Sequence, residues 1–116
     1  IFKPIITSNY TYAILKNDLL ICLENTTGNI VWSKNIFKDI QEKKVIKNFK
    51  TIIDFKVVNG KINMFSKNGF LLTFNPSDGN LIYSERISKN GIASEIIFLG
   101  DNMLFVDNRN KLLKFN

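Results

Sequence analysis

The sequence predicts an all-β fold built of antiparallel four-stranded meanders. Three observations carry that prediction. The apolar runs are short, they alternate with breaks rich in Gly, Asn and Asp, and the whole pattern recurs along the chain. None of the runs carries the spacing of an amphipathic helix.

The recurrence organises the rest. At an offset of 51, residues 12–36 lie over residues 63–87, with identities at Lys16/Lys67, Asn17/Asn68, Leu20/Leu71, Gly28/Gly79, Asn29/Asn80, Ser33/Ser84 and Ile36/Ile87. Most other pairs keep their character, among them Leu19/Phe70, Leu23/Phe74 and Trp32/Tyr83. A third copy follows at an offset of 41, where residues 57–75 lie over 98–116. Leu71, Leu72, Phe74 and Asn75 recur there as Leu112, Leu113, Phe115 and Asn116. The chain thus reads as one segment, 1–116, carrying repeats at 4–36, 55–87 and 96–116.

Strands are expected near 5–7, 10–16, 19–24 and 30–36 in the first copy, and near 55–58, 61–66, 70–75 and 81–87 in the second. The third copy supplies strands near 96–99, 103–107 and 111–115. Asn59-Gly60 accepts positive φ at both central positions of a tight turn, as a two-residue hairpin demands. Gly28 and Gly79 sit where the chain reverses between third and fourth strands, a place where a β-branched residue is strained. Four residues on, Trp32 and Tyr83 are placed to plug the gap between neighbouring sheets. Truncating Trp32 to Ala is expected to cost about 3–5 kcal/mol if the ring is core.

The joints differ. Residues 37–54 link the first and second copies, and residues 88–95 link the second and third. The longer joint holds Lys38, Lys43, Lys44, Lys47 and Lys50, with a helical turn expected around 38–44. It reads either as a solvated surface loop or as a partner-contacting insertion, since long loops of repeat folds carry binding.

Meanders recurring every 40 to 50 or so residues are the mark of β-propeller blades. The stretch Cys22-Leu23-Glu24-Asn25-Thr26-Thr27-Gly28-Asn29-Ile30-Val31-Trp32 resembles the pyrroloquinoline-quinone (PQQ) type of propeller repeat. That pattern runs Ala-x-Asp-x-x-Thr-Gly-Lys-x-x-Trp. Thr27, Gly28 and Trp32 match it; Cys22, Glu24 and Asn29 depart from it. The second copy keeps Gly79 and puts Tyr83 in the Trp slot. The resemblance implies a partial propeller, two blades plus three strands of a third. A ring needs roughly 4–8 blades, so this length is expected to be part of a larger propeller. The start at Ile1 rather than Met agrees with that expectation.

In character the repeats are most similar to the BamB-like propellers of outer-membrane protein assembly. That resemblance implies a non-enzymatic scaffold for protein–protein interaction, in the periplasm or cell envelope of a Gram-negative bacterium. Its partners would be other proteins, including outer-membrane barrel assembly components, and the remaining blades of its own propeller. It implies no cofactor. The alternative is a piece of a PQQ-dependent alcohol or sugar dehydrogenase with its active-site residues outside this segment. A third reading is a eukaryotic luminal sensor ectodomain of the same repeat type.

Composition narrows what this segment itself can do. With no His, it lacks imidazole metal ligands and the usual base of a Ser or Cys triad. With one Cys it lacks a disulfide framework and a Cys-based zinc site. Cys22 takes the slot of a small buried residue, and a buried thiol is inert. The carboxylates Asp18, Asp54, Asp78, Asp101 and Asp107 are scattered singly through turns, which leaves no acid/base pair. Asp107-Asn108-Arg109-Asn110 has the oxygen content of a calcium loop, yet it aligns with the Ser66–Gly69 turn and lacks the further ligands of such a site. No catalytic, cofactor or metal residue is therefore expected here. The net charge of +6 rests on 14 Lys, with only Arg86 and Arg109 as Arg. Because nucleic-acid readout leans on the bidentate Arg fork, no nucleic-acid role is expected. The abundance of Ile, Lys and Asn is the bias of an AT-rich genome. No apolar run reaches the roughly 18 residues of a membrane span, so no direct membrane insertion is expected.

Overall fold

Turn chemistry divides the chain into three antiparallel sheets. The computed structural model describes residues 2–42 and 51–116. The first sheet runs β1 (Ile5–Ile6), β2 (Tyr10–Ile14), β3 (Leu19–Glu24), β4 (Ile30–Asn35) in sequential order. A helix, α1 (Ile36–Glu42), follows directly. The second sheet runs β5 (Ile52–Val58), β6 (Lys61–Ser66), β7 (Phe70–Phe74), β8 (Leu81–Arg86). The third holds β9 (Ile97–Leu99), β10 (Asn102–Val106) and β11 (Leu112–Phe115), with β10 in the middle.

The repeat is written in the backbone as well as in the side chains. Gly28 N–H donates to Glu24 O at 2.8 Å, and Gly79 N–H donates to Asn75 O at 2.7 Å. Both glycines take left-handed conformations, φ 73° and 76°, and a β-bulge follows each turn where the fourth strand pairs with the third. The hairpins between second and third strands match as closely. Asp18, Gly69 and Asn110 share one repeat position, and all three have positive φ. Each of their amides donates back to the residue three before it, Leu15, Ser66 and Asp107.

Strand alternation sends each sheet's apolar residues to the gap it shares with its neighbour. Between the first and second sheets lie Tyr12, Leu20, Cys22, Phe55, Ile62, Met64, Leu72 and Phe74. Between the second and third lie Phe65, Leu71, Ile87, Ile92, Ile96, Met103 and Phe105. Residues Ile62, Met64 and Leu72 of the second sheet are the repeat counterparts of Met103, Phe105 and Leu113 of the third, so the two gaps use the same positions. Three sheets each packing face to face on the next are the layered arrangement of propeller blades.

Two element boundaries depart from the sequence reading. The joint expected at 37–54 gains Ile36 at its start and loses residues to β5 at its end. Its helix begins at Ile36 because the Asn35 side chain accepts the Lys38 amide at 3.0 Å and ends β4 there. One turn apart, Ile36 and Ile40 then enter the first core, almost fully buried. At the other end β5 begins at Ile52, three residues before the expected 55. Asp54, whose charge reads as joint, is buried in the strand and accepts the Ile96 amide at 2.9 Å.

Candidate functional site

The residues singled out by the repeat meet at the seam between the first two sheets. Trp32 on β4 pairs with Cys22 on β3, which pairs with Tyr12 on β2. All three therefore face the second sheet. The Trp32 ring lies 6.3 Å from Tyr12 and is half-buried. Its Nε1–H donates to the carbonyl of Pro76 at 2.8 Å, across 44 residues of sequence. The same ring covers Gly79, where a Cβ would lie 2.6 Å from its Cζ3. Gly28 has no such neighbour. Trp32 is thus a clasp that holds the first sheet to the second sheet's last turn, rather than a plug deep in the gap. In its partner turn Ser77 and Asp78 are exposed while Gly79, beneath the ring, is buried.

Tyr83 occupies the equivalent slot and behaves differently. It is 46% exposed, and its hydroxyl donates to the Glu85 carboxylate on its own strand. That bond and the nearby negative charge raise the phenol above its ordinary range. Among the described residues, no turn lies over it. Pairing within the second sheet places Asn63, Thr73 and Tyr83 in one row, with the Thr73 hydroxyl donating to Asn63 Oδ1 at 3.0 Å.

The cation-rich joint is only partly described. Lys38 is exposed on α1, whereas Lys43, Lys44, Lys47 and Lys50 lie outside the described residues. Cys22 is buried and free, and burial pushes its thiol up, away from the reactive thiolate. A small crevice of about 230 Å³ opens beside it, lined by Tyr10, Tyr12, Val31, Pro76 and Ser77.

The carboxylates have structural work. Asp107, nearly fully buried, accepts the amides of Arg109 and Lys111, both at 2.9 Å. Those amide donors hold its carboxyl below the usual carboxylate range. It does for the third sheet what the Ser66 hydroxyl does for the second, accepting the Phe70 amide at 3.0 Å. Asp78 accepts the Asn80 amide at 2.9 Å, and Asp54 meets Lys56 at 3.5 Å. Among the described residues, no three acids or cysteines gather where they could hold a metal ion. No described helix is long and apolar enough to cross a membrane.

What remains open is apolar and lies on strands rather than in a cleft of titratable groups. Ile30 and Val31 on β4, and Ile82 and Tyr83 on β8, are exposed on the outer strands. Ile97, Leu99 and Leu112 are exposed on the third sheet. Sequence reasoning singled out none of these except Tyr83. The repeat alignment carried the signal, since Val31 and Ile82 share one position.

No protein-family model and no curated protein sequence matches the chain. Solved structures do. BamB from Moraxella catarrhalis superposes with a TM-score of 0.68 at 9% identity, over 97% of this chain and 30% of that one. A europium-containing methanol dehydrogenase gives 0.58 at 14% identity, over 88% of this chain and 19% of that one. The quinohemoprotein alcohol dehydrogenase of Comamonas testosteroni gives 0.59 at 14% identity, over 88% and 16%. The chain spans less than a third of each of these structures. The expected likeness holds at the level of fold: the chain is an open run of antiparallel propeller blades, the blade fold it shares with BamB and the PQQ-type alcohol dehydrogenases.

Proposed function

We propose that the chain belongs to a non-enzymatic propeller scaffold that binds other proteins, in outer-membrane protein assembly within the periplasm or cell envelope. One observation carries this reading. The outer strands β4 and β8 each present adjacent exposed apolar residues, Ile30–Val31 and Ile82–Tyr83. A strand edge bordered by apolar side chains is a surface on which an extended client segment adds by main-chain hydrogen bonding. The blade-like repeats 4–36, 55–87 and 96–116 are the units of the scaffold, and the Lys38–Lys50 joint is proposed as a further contact. In this reading Gly28, Trp32, Gly79 and Tyr83 hold the structural positions of the repeat, with Tyr83 also bordering the exposed surface of β8. The test is photo-crosslinking from Val31 and Ile82 in cells that make the parent protein. The reading expects crosslinks to envelope proteins, and their absence from both positions would sink it.

The structural likeness to quinoprotein alcohol dehydrogenases supports a second reading, a segment of a PQQ-dependent dehydrogenase whose active-site residues lie in other blades. The two separate in one experiment. A dehydrogenase parent should be stabilised on adding PQQ with calcium, by about 2.7 kcal/mol at a hundredfold excess over Kd. A scaffold should show no change in melting temperature or absorbance.

A further inference from the structure

Each sheet turns back between its second and third strands at one end of the molecule, and that end is basic. Lys16 stands on the β2–β3 hairpin, Lys67 on the β6–β7 hairpin, and Arg109 and Lys111 on the β10–β11 hairpin. Arg86 and Lys89 lie where β8 ends. All six are exposed. The opposite end holds the Gly28, Gly60, Gly79 and Gly100 turns. Among the described residues it exposes Glu24, Asp78 and Asp101 against Lys61. The Trp32–Pro76 and Asn90–Asn108 bonds set the three sheets side by side in the same sense.

The second sheet shows the pattern with a sheet on either side of it. Gly69 O accepts the Ile87 and Ser88 amides at 2.8 and 3.2 Å, and Lys67 O accepts the Ile92 amide at 3.0 Å. Asn90 O accepts the Asn108 amide at 3.3 Å, and Arg86 Nη2 donates to Lys89 O at 3.2 Å. These bonds lace the second hairpin, the joint after β8 and the third hairpin into one face. Lys67, Arg86 and Lys89 stay exposed with all of it in place. Few acids answer them. Asp107 is buried on the Arg109 and Lys111 amides, Glu85 takes the Tyr83 hydroxyl, and Asp54 pairs with Lys56. Asp18 is half-buried, and Glu95 is exposed. Among the described residues, none of the six cations pairs with a carboxylate.

We propose that this hairpin end is a docking face for an anionic bilayer surface, held by attraction to headgroup phosphates without insertion. The cations sit on separate tips of successive sheets, about 10 Å apart where sheets pack face to face. That is about one Debye length at physiological salt, so their fields merge over a broad face rather than focusing on one cleft. Four of the six are Lys, a hydrated point charge suited to a diffuse headgroup layer. Protein interfaces are instead depleted in Lys. Leu15, 46% exposed beside Lys16, adds apolar contact at headgroup level. The acidic opposite end orients the molecule, hairpins toward the bilayer and glycine turns away. The face lies at the strand ends, so it leaves the outer edges of β4 and β8 open, and it holds for either reading of the parent.

The probe is co-sedimentation of the full chain with vesicles of phosphatidylglycerol and phosphatidylcholine in equal parts, against phosphatidylcholine alone. Expected is binding to the anionic vesicles only, falling steeply as salt rises from about 0.05 to 0.5 M. Lys67→Gln and Lys89→Gln should each weaken it roughly fivefold, the worth of one cation near an anionic surface. Lys61→Gln removes the same net charge from the opposite end and should weaken it less than about twofold. All three side chains are exposed, and an unchanged urea midpoint checks that each variant keeps its fold. Four results overturn the proposal. They are no binding to anionic vesicles at low salt, equal losses at Lys61 and Lys89, displacement by inorganic phosphate at matched ionic strength, or binding of polyglutamate or duplex DNA where vesicles do not bind. The last two would reassign the face to a single phosphate pocket, or to an acidic protein or nucleic acid. Crosslinks from Val31 or Ile82 alongside failed sedimentation would sink this face and leave the scaffold reading standing. Sedimentation without those crosslinks would do the reverse.

Discussion

Replacing Gly79 with Ala tests the clasp between the first two sheets. Two costs add. At φ 76° an L-residue is strained by roughly 1–2 kcal/mol. The new Cβ would also lie 2.6 and 2.7 Å from Trp32 Cζ3 and Cε3, and 2.8 Å from Lys34 Cγ. Ordinary carbon contacts lie at about 3.5–4.0 Å, so the ring must retreat by about 1 Å. The Nε1–H bond to Pro76 at 2.8 Å resists that retreat. Overpacking of this kind costs about 1–3 kcal/mol, giving about 2–5 kcal/mol for Gly79→Ala. Gly28→Ala is the control, because Gly28 has φ 73° and nothing within 4 Å of its Cβ position. It should cost only the backbone strain, about 1–2 kcal/mol. Trp32→Ala alone should cost about 2–3 kcal/mol, below the value for a fully buried ring because Trp32 is half-exposed. In that background Gly79→Ala should fall toward the cost of Gly28→Ala, with only the contact to Lys34 Cγ left to add to it. Urea unfolding followed by far-ultraviolet circular dichroism reads all four variants without needing the Trp fluorophore. The reasoning is refuted if the two glycine variants agree within about 0.5 kcal/mol and Trp32→Ala leaves the difference unchanged.

Leu20→Ala and Leu71→Ala should each cost about 2–5 kcal/mol in the same assay, and Leu112→Ala less than about 0.5 kcal/mol, although all three are one repeat position. A large loss at Leu112 would show that the third sheet is covered in the free chain. Because the Asp107 carboxyl is held below its ordinary range in the folded chain, its contribution is present above the unfolded pKa. It is lost as pH falls through the lowered folded value. The urea midpoint should therefore drop below about pH 4, and Asp107→Asn should be less stable at neutral pH with a flatter acid limb; an unchanged limb refutes the assignment. Burial raises the Cys22 thiol, so a thiol reagent at pH 8 should label it only as fast as the first two sheets open. Labelling as fast as in denaturant would place Cys22 at the surface.

The strands were legible because their punctuation is local. Asn59-Gly60, Gly28 and Gly79 demand turns wherever they fall, and β6, β7 and β10 lie within a residue or so of their expected places. What was not legible depends on the neighbouring sheet. Asp54 is a strand residue because the Ile96 amide, 42 positions away, takes its carboxylate. Ile36 and Ile40 form a helical face only because the first core lies beneath them. Trp32 and Tyr83 read alike in sequence, and what separates them is the Pro76 turn over one ring and, among the described residues, none over the other. Of the candidate site, the glycines and aromatics were visible as a repeat, while the exposed row on β4 and β8 emerged only from knowing which faces are covered.

The Trp32–Pro76 clasp has a bearing on how such a chain grows. The first sheet meets the second through one ring, one carbonyl and one glycine beside their shared core, and the second meets the third through its own core and the Asp54–Ile96 bond. Stability is then a sum of local terms, and the rule for fitting one more unit is the same wherever it is inserted. Copying a stretch of 51 residues carries both the turn glycine and the aromatic position with it, as Gly28/Gly79 and Trp32/Tyr83 show. A drifting copy needs to preserve that handshake and the core beside it, which leaves the outward strands free to diverge.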